Sequence, residues 1–270
     1  MCKFASLLLN DFLHTAIVLT LFSCGVAVAT PVDMTSLMVT PFGQKGEEYI
    51  LVLAEEFDFF DRRLWNDHIW YEKPNPTINY VVEDGLLKIW PERDATGRFF
   101  NRTIDTDGKY TQTYGYFEME AKLTVGKGTW PAFWLFAHPG NRRPEIDIME
   151  AYPGGPAPWG IVTKNGDSRP RAYGINVWRD AGKSLGMVQY DTGIDLSAGF
   201  HKYGLKWEED RLTFFFDGKR THAVDVSMRD PMYIVLDLWF GSVSGLPNAS
   251  TPLGKSNSFE INYVRAWRFR

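Results

Sequence analysis

Three carboxylates fall within six residues in Glu145-Ile146-Asp147-Ile148-Met149-Glu150. Strand side chains alternate between two faces, so Glu145 and Asp147 share one face while Ile146 and Ile148 take the other. Glu150, five positions after Glu145, has the opposite parity. In a regular strand it would enter the core, where an unpaired carboxylate is costly. A β-bulge near Met149 adds one residue and returns Glu150 to the face of the other two acids. Acids crowded on one face repel one another, and the chemistry that uses such crowding is acid–base and nucleophilic attack on a glycosidic bond. Taken alone, the three acids fit an edge strand with solvated charges equally well.

The neighbouring sequence favours the chemical reading. Gly128-Thr129-Trp130-Pro131-Ala132-Phe133-Trp134-Leu135-Phe136 is an aromatic strand that would pair with the acidic one as a hairpin. Trp130 and Trp134 share parity, so one face would present both to a cleft, where aromatic rings stack on the apolar faces of pyranoses. The alternative for Trp134 is a packed core face. Asp237 and Trp239 share a face of a late strand and are cleft candidates too, with core packing or a sheet-internal hydrogen bond as the alternative. Trp159, in the Pro/Gly-rich loop 153–160, is a candidate exposed sugar platform. His68, His138, His201 and His222 stand in unlike motifs, which argues against zinc or histidine-based catalysis. A Ser-His-Asp arrangement has no nucleophile-elbow motif behind it.

These residues must be positioned by strands. Short runs bounded by turn residues recur from Tyr49 onward: 49–54, 79–82, 86–90, 103–106, 116–123, 174–178, 200–207, 211–216, 219–224, 232–240 and 259–269. In 116–123, Phe117, Met119, Ala121 and Leu123 alternate with Tyr116, Glu118, Glu120 and Lys122, the pattern of a strand with one core face. Helical periodicity is absent or very short beyond the N-terminal segment. The fold class expected is all-β, an antiparallel sandwich. The chain has 270 residues, 44% of them hydrophobic, which suits one large β domain. Aromatic residues reach 15%, with ten Trp, enough for both a β core and a carbohydrate cleft. A net charge of −4 gives no sign of a nucleic-acid partner.

The N-terminus reads as a targeting segment. Lys3 supplies a thin positive region, an apolar run extends from about Thr15 to Val28, and Ala27-Val28-Ala29 is an A-x-A cleavage site. The expected division is a signal peptide at 1–29, a loose leader at 30–46 and one domain at 47–270. Cys2 and Cys24 both lie in the signal segment, so the processed chain would have no disulfide. Lipoprotein processing at Cys24 is the minor alternative to free secretion or periplasmic release. No membrane span is expected, and the chain is read as a monomer.

On these residues, the chain resembles glycoside hydrolase family 16, over roughly residues 50–270. Glu145-Ile146-Asp147-Ile148-Met149-Glu150 fits the E-x-D-x-x-E signature of its bulged, laminarinase-like branch. Gly128 to Trp134 fits the strand before it. Weaker matches are Tyr114-Gly115-Tyr116-Phe117-Glu118, Phe200 to Trp207, and Asn262-Tyr263-Val264-Arg265-Ala266-Trp267. The resemblance implies a β-jelly roll of two curved sheets and double-displacement hydrolysis with retention. It implies Glu145 as nucleophile, Glu150 as general acid/base, and Asp147 between them holding the two in different protonation states. Retention requires the two glutamate carboxyls about 5–5.5 Å apart. Tyr173, Asn176 and Trp178 occupy a strand where laminarinases often carry histidines, and are candidate substrate contacts. Their unlikeness to that pattern leaves the sugar open. Many members hold a structural calcium, for which Glu56 and Asn262 are the matching positions here. Asn262 brings no charge, so neither a metal nor any other cofactor is assigned a role in the reaction.

The function expected is an endo-acting retaining glycanase, with a polysaccharide as the partner molecule. Its substrate would be a β-1,3 or β-1,3/1,4-glucan, or a bacterial exopolysaccharide. A transglycosylase would use the same intermediate with a sugar hydroxyl in place of water. A non-catalytic binding module on the same fold would have no need of all three acids.

Overall fold

The computed structural model describes residues 39–163 and 166–270. The segment read as a signal peptide, including Cys2 and Cys24, lies outside the described residues, as does the leader up to residue 38. Strands β1 (Tyr49–Glu55), β2 (Tyr80–Glu83), β3 (Leu86–Ile89), β4 (Arg102–Asp105), β5 (Gly115–Lys122) and β6 (Thr129–Phe136) come first. Then follow β7 (Glu145–Ala151), β8 (Gly160–Val162), β9 (Ser168–Pro170), β10 (Ala172–Trp178) and β11 (Val188–Asp191). Strands β12 (His201–Trp207), β13 (Arg211–Phe216), β14 (Lys219–Asp225), β15 (Tyr233–Phe240) and β16 (Phe259–Phe269) close the chain. Three-residue 3₁₀ turns are the only helical pieces among the described residues.

Two antiparallel sheets face each other. One has eight strands in the order β14-β13-β12-β5-β16-β3-β2, with β1 also pairing along β16. The other has six, in the order β11-β10-β7-β6-β15-β4. Strands far apart in sequence are neighbours in both, as a β-jelly roll requires. The core lies between the sheets. Phe133, Leu135, Ile146, Ile175 and Leu236 of the six-stranded sheet meet Phe117, Met119, Leu205, Phe214 and Val264 of the eight-stranded one. Each such side chain contributes about 1.5–3 kcal/mol on burial, so the alternating apolar positions dictate which face each strand turns inward.

The leader is not loose over its described part. Trp267 Nε1 donates to the Val39 carbonyl at 2.8 Å, and the Phe42 N–H donates to Glu118 Oε2 at 3.0 Å. Lys202 Nζ lies 4.7 Å from the Phe42 ring centre. Residues 39–46 are thereby tied to the outer side of the eight-stranded sheet. They explain why Tyr116 and Glu118, on the polar-reading face of β5, are as buried as its core face.

The loop between β1 and β2 also carries structure that the sequence did not advertise. Buried Arg102 donates from Nε to Asn79 Oδ1 at 2.7 Å. From its two Nη atoms it reaches the carbonyls of Asp67, Asn75 and Thr77 at 2.8, 3.3 and 2.6 Å. One guanidinium fork thus pins both ends of the segment that bears Trp70 and Tyr71.

Candidate active site

The bulge sits where parity required it. Across β6, Asp147 is opposite Trp134 and Met149 is opposite Phe133, so two steps on β7 match one on β6. Across β10, Asp147 is opposite Asn176 and Glu150 is opposite Gly174, again with one extra residue on β7. Consecutive Ile148 and Met149 both enter the core, and Glu150 returns to the face of Glu145 and Asp147.

The three acids meet in a pocket of about 150 Å³ on the outer face of the six-stranded sheet. Trp130, Trp134 and Trp239 wall it, Ala132 and Asp237 floor it, and Tyr71 reaches it from the Arg102-held loop. Glu150, Ala132 and Asp237 form one row across β7, β6 and β15. Strands are about 4.8 Å apart, and the small Ala132 side chain between two carboxylates leaves the hollow.

The tryptophans address the acids with their indole N–H groups. Trp130 Nε1 donates to Glu150 Oε1 at 3.1 Å, and Tyr152 Oη donates to the same oxygen at 3.2 Å. Trp178 Nε1 donates to Asp147 Oδ2 at 3.2 Å, and Trp134 Nε1 to Asp237 Oδ2 at 2.7 Å. Trp239 Nε1 donates to Thr103 Oγ1 at 2.9 Å. Its ring meets those of Trp130 and Trp134 edge to face, with centroids 5.6 and 6.2 Å away. Each acid oxygen so held keeps its position without a full opposing charge.

Burial pushes all three acids toward the protonated form. Glu145 and Glu150 are each raised to about 7, chiefly by desolvation. The charge of Glu145 adds to the rise at Glu150, while the hydrogen bonds from Tyr152, Trp130 and Asp147 oppose it. Asp147 is raised well above the usual carboxylate range by burial and by both glutamates. Its hydrogen bond with Glu145 raises Asp147 further and lowers Glu145, which favours the ionised form of Glu145. Asp237 is likewise pushed up by burial, and its Oδ1 has no hydrogen-bond partner among the described residues.

These shifts have a stability consequence. Between the ordinary glutamate value of 4.5 and about 7, folded Glu150 binds more protons than unfolded Glu150. Stability from this group is therefore full below pH 4.5 and falls as pH rises through 7. Glu150→Gln keeps an oxygen for Trp130 and Tyr152 and cannot ionise. It is expected to raise stability at pH 8 by about 1–3 kcal/mol, roughly 3–10 °C in Tm, and to leave it unchanged at pH 4. Thermal melts at the two pH values check this; an equal change at both contradicts the buried-charge account.

Not every sequence candidate reaches the pocket. Trp130, Trp134, Asp237 and Trp239 do. Tyr173 does not. It is 1% exposed and packs in the inter-sheet core against Tyr190, Tyr203 and Phe216, because it shares parity with Ile175 and Val177. Asn176 has the right face but is covered: its Oδ1 accepts from Ser184 Oγ at 2.7 Å. Trp178 reaches Asp147 from outside the pocket lining. Trp159 stands beside the site, edge-on to Tyr152 at 4.9 Å, half-buried rather than a bare platform. Tyr71 and Tyr152 were missed. Tyr152, one residue past the end of β7, has the parity of Glu150, and that signal was in the sequence. Tyr71 lies 74 positions before Glu145 in an irregular loop and carried no signal.

The calcium positions are otherwise engaged. Arg265 holds both oxygens of Glu56, at 2.7 and 2.8 Å, and Asn262 Nδ2 donates to Glu120. A cation would have to displace a bidentate guanidinium, so this donor set does not fit calcium. A chelator is expected to leave Tm unchanged, and a fall of more than about 2 °C contradicts that assignment.

A jelly-roll sandwich in which a bulged strand delivers two glutamates and an aspartate into a tryptophan-walled pocket is a glycoside hydrolase. The profile of the Glycosyl hydrolases family 16 matches residues 77–265, and the chain belongs to that family. Two relatives from Rhizobium meliloti (strain 1021), both called endo-1,3-1,4-beta-glycanase (EglC and ExsH), are each 29% identical. The first aligns over 75% of this chain and 43% of its own length, the second over 73% and 42%. The chain thus spans less than half the length of these relatives. The laminarinase catalytic domain of Thermotoga maritima MSB8 superposes with a TM-score of 0.65 at 25% identity, covering 82% of this chain and 99% of that one.

Proposed function

We propose that this chain is an endo-acting, retaining β-glycanase that cuts internal bonds of a β-1,3- or β-1,3/1,4-linked polysaccharide. The observation that carries the reading is the convergence of Glu145, Asp147 and Glu150 in one pocket through the β7 bulge. The names of the Rhizobium relatives support the linkage class.

In the first step Glu145 attacks the anomeric carbon, and Glu150 gives its proton to the departing glycosidic oxygen. The C–O bond breaks and a glycosyl ester forms on Glu145. In the second step Glu150, now ionised, takes a proton from water, whose oxygen attacks the same carbon and releases Glu145. Asp147 stays protonated and donates to Glu145, which favours the ionised nucleophile. The raised acidity range of Glu150 suits a general acid near neutral pH. A bacterial exopolysaccharide with such linkages is included in this substrate class. Reading residues 1–29 as an export signal would bring the enzyme to such a polysaccharide outside the cytoplasm.

The test is release of reducing ends from a panel of β-glucans and bacterial exopolysaccharides. At least one polymer is expected to yield oligosaccharides, with viscosity falling early as internal cuts require. No product from any of them, or full activity in Glu145→Gln, overturns the reading.

A further inference from the structure

An open groove of about 810 Å³ lies apart from the catalytic pocket and shares no lining residue with it. Arg142, Arg179, Lys183 and Arg229 line it, against only Asp180 and Asp230. The chain as a whole carries −4, so this is a local reversal of sign.

The cations differ in how far they are used. Arg142 is paired with Asp230 through two contacts of 3.1 and 2.7 Å. Arg229 leans on Ser227 at 2.9 Å and Glu209 at 3.5 Å. Asp180 spends Oδ1 on the backbone N–H groups of Arg143 and Ala181, both at 2.8 Å, and pairs with Lys183 through Oδ2 at 3.7 Å. Arg179 has no side-chain partner among the described residues. On the hairpin 179–185, exposed Arg179 therefore faces the groove with its charge available, beside Lys183 in the loosest of the groove's ion pairs.

That hairpin is also the border of the catalytic face. Trp178, one residue before Arg179, donates to Asp147, and Ser184 donates to Asn176, which is opposite Asp147 in register. The Arg143–Asp180 bond ties it to the residues just before Glu145.

We propose that the groove receives anionic substituents, carboxylate or sulfate groups, carried by the polysaccharide that the catalytic pocket cleaves. This deepens the reading of the chain as a glycanase and rests on it. Guanidinium and ammonium donors match such groups in charge and geometry, and their attraction is screened by salt.

The test compares a neutral mixed-linkage β-glucan with its carboxymethylated derivative. In native gels containing either polymer, protein with Glu145→Gln is expected to be retarded more strongly by the anionic one, and less so at high salt. Adding Arg179→Ala and Lys183→Ala is expected to weaken retardation by the anionic polymer about 5- to 20-fold, leaving the neutral one unchanged. Reversal to Arg179→Glu and Lys183→Glu goes further in the same direction. Equal retardation by the two polymers, or an equal loss on both in the variants, overturns the proposal. Turnover of the neutral glucan by the two-site variant with Glu145 intact reports folding and is expected to match the parent. If no polymer of the wider panel is cleaved, the glycanase reading fails, while the gels still decide whether the groove prefers anions.

Discussion

Glu145→Gln is expected to lower kcat on the cleaved polymer by roughly 10⁴- to 10⁶-fold, because no other group in the pocket is placed to form the glycosyl ester. The substitution keeps the size of the side chain. It also removes a half-buried acid whose ionisation is resisted by desolvation, so the variant should melt no lower than the parent at pH 8. Loss of activity with undiminished Tm separates a chemical role from a structural one. Binding should persist, since the tryptophan walls are untouched, and KM or polymer affinity should change little. A loss of only a few-fold would mean that Asp147 or Asp237 supplies the nucleophile.

Glu150→Gln should cost about 10²- to 10⁴-fold on the polymer, the usual contribution of general acid–base catalysis. Its signature is dependence on the leaving group. An aryl glycoside whose phenolate departs unprotonated should form the ester in the variant nearly as fast as in the parent, and hydrolysis of that ester should then limit the rate. The alkaline limb of the parent's kcat/KM profile should vanish too. That limb reports deprotonation of Glu150, which burial and the Glu145 charge move up to about 7. The measurements are pre-steady-state release of the phenol and the pH profile. A polymer loss with no leaving-group effect would move the acid role elsewhere.

The acidic strand was the most legible part of the sequence. Glu150 had the wrong parity for a regular strand, and the only economical repair was the bulge that β7 shows at Ile148 and Met149. The sandwich was legible for the same reason, since alternation in segments such as 116–123 fixes which face turns inward. Short edge pieces were not: β8, β9 and β11 have little apolar pattern of their own, and their positions follow from their partners. Parity could also have excluded Tyr173, which alternates with Gly174 and pairs with the core set of Ile175 and Val177. The fate of Asn176 could not be read, because its cover, Ser184, arrives from a hairpin turn. The use of tryptophan was only half legible. Its rings were expected as sugar platforms, but in Trp130, Trp134 and Trp178 the indole N–H holds a carboxylate, a detail set by side-chain orientation.

The central claim is that Glu145 and Glu150 act as a retaining pair. The most direct test is the stereochemistry of the first product, followed by proton NMR of the new reducing end before mutarotation. The account predicts that the β-anomer appears first and the α-anomer grows in only later. An α-anomer at the outset would mean single displacement by water and would contradict the assignment of Glu145 as nucleophile.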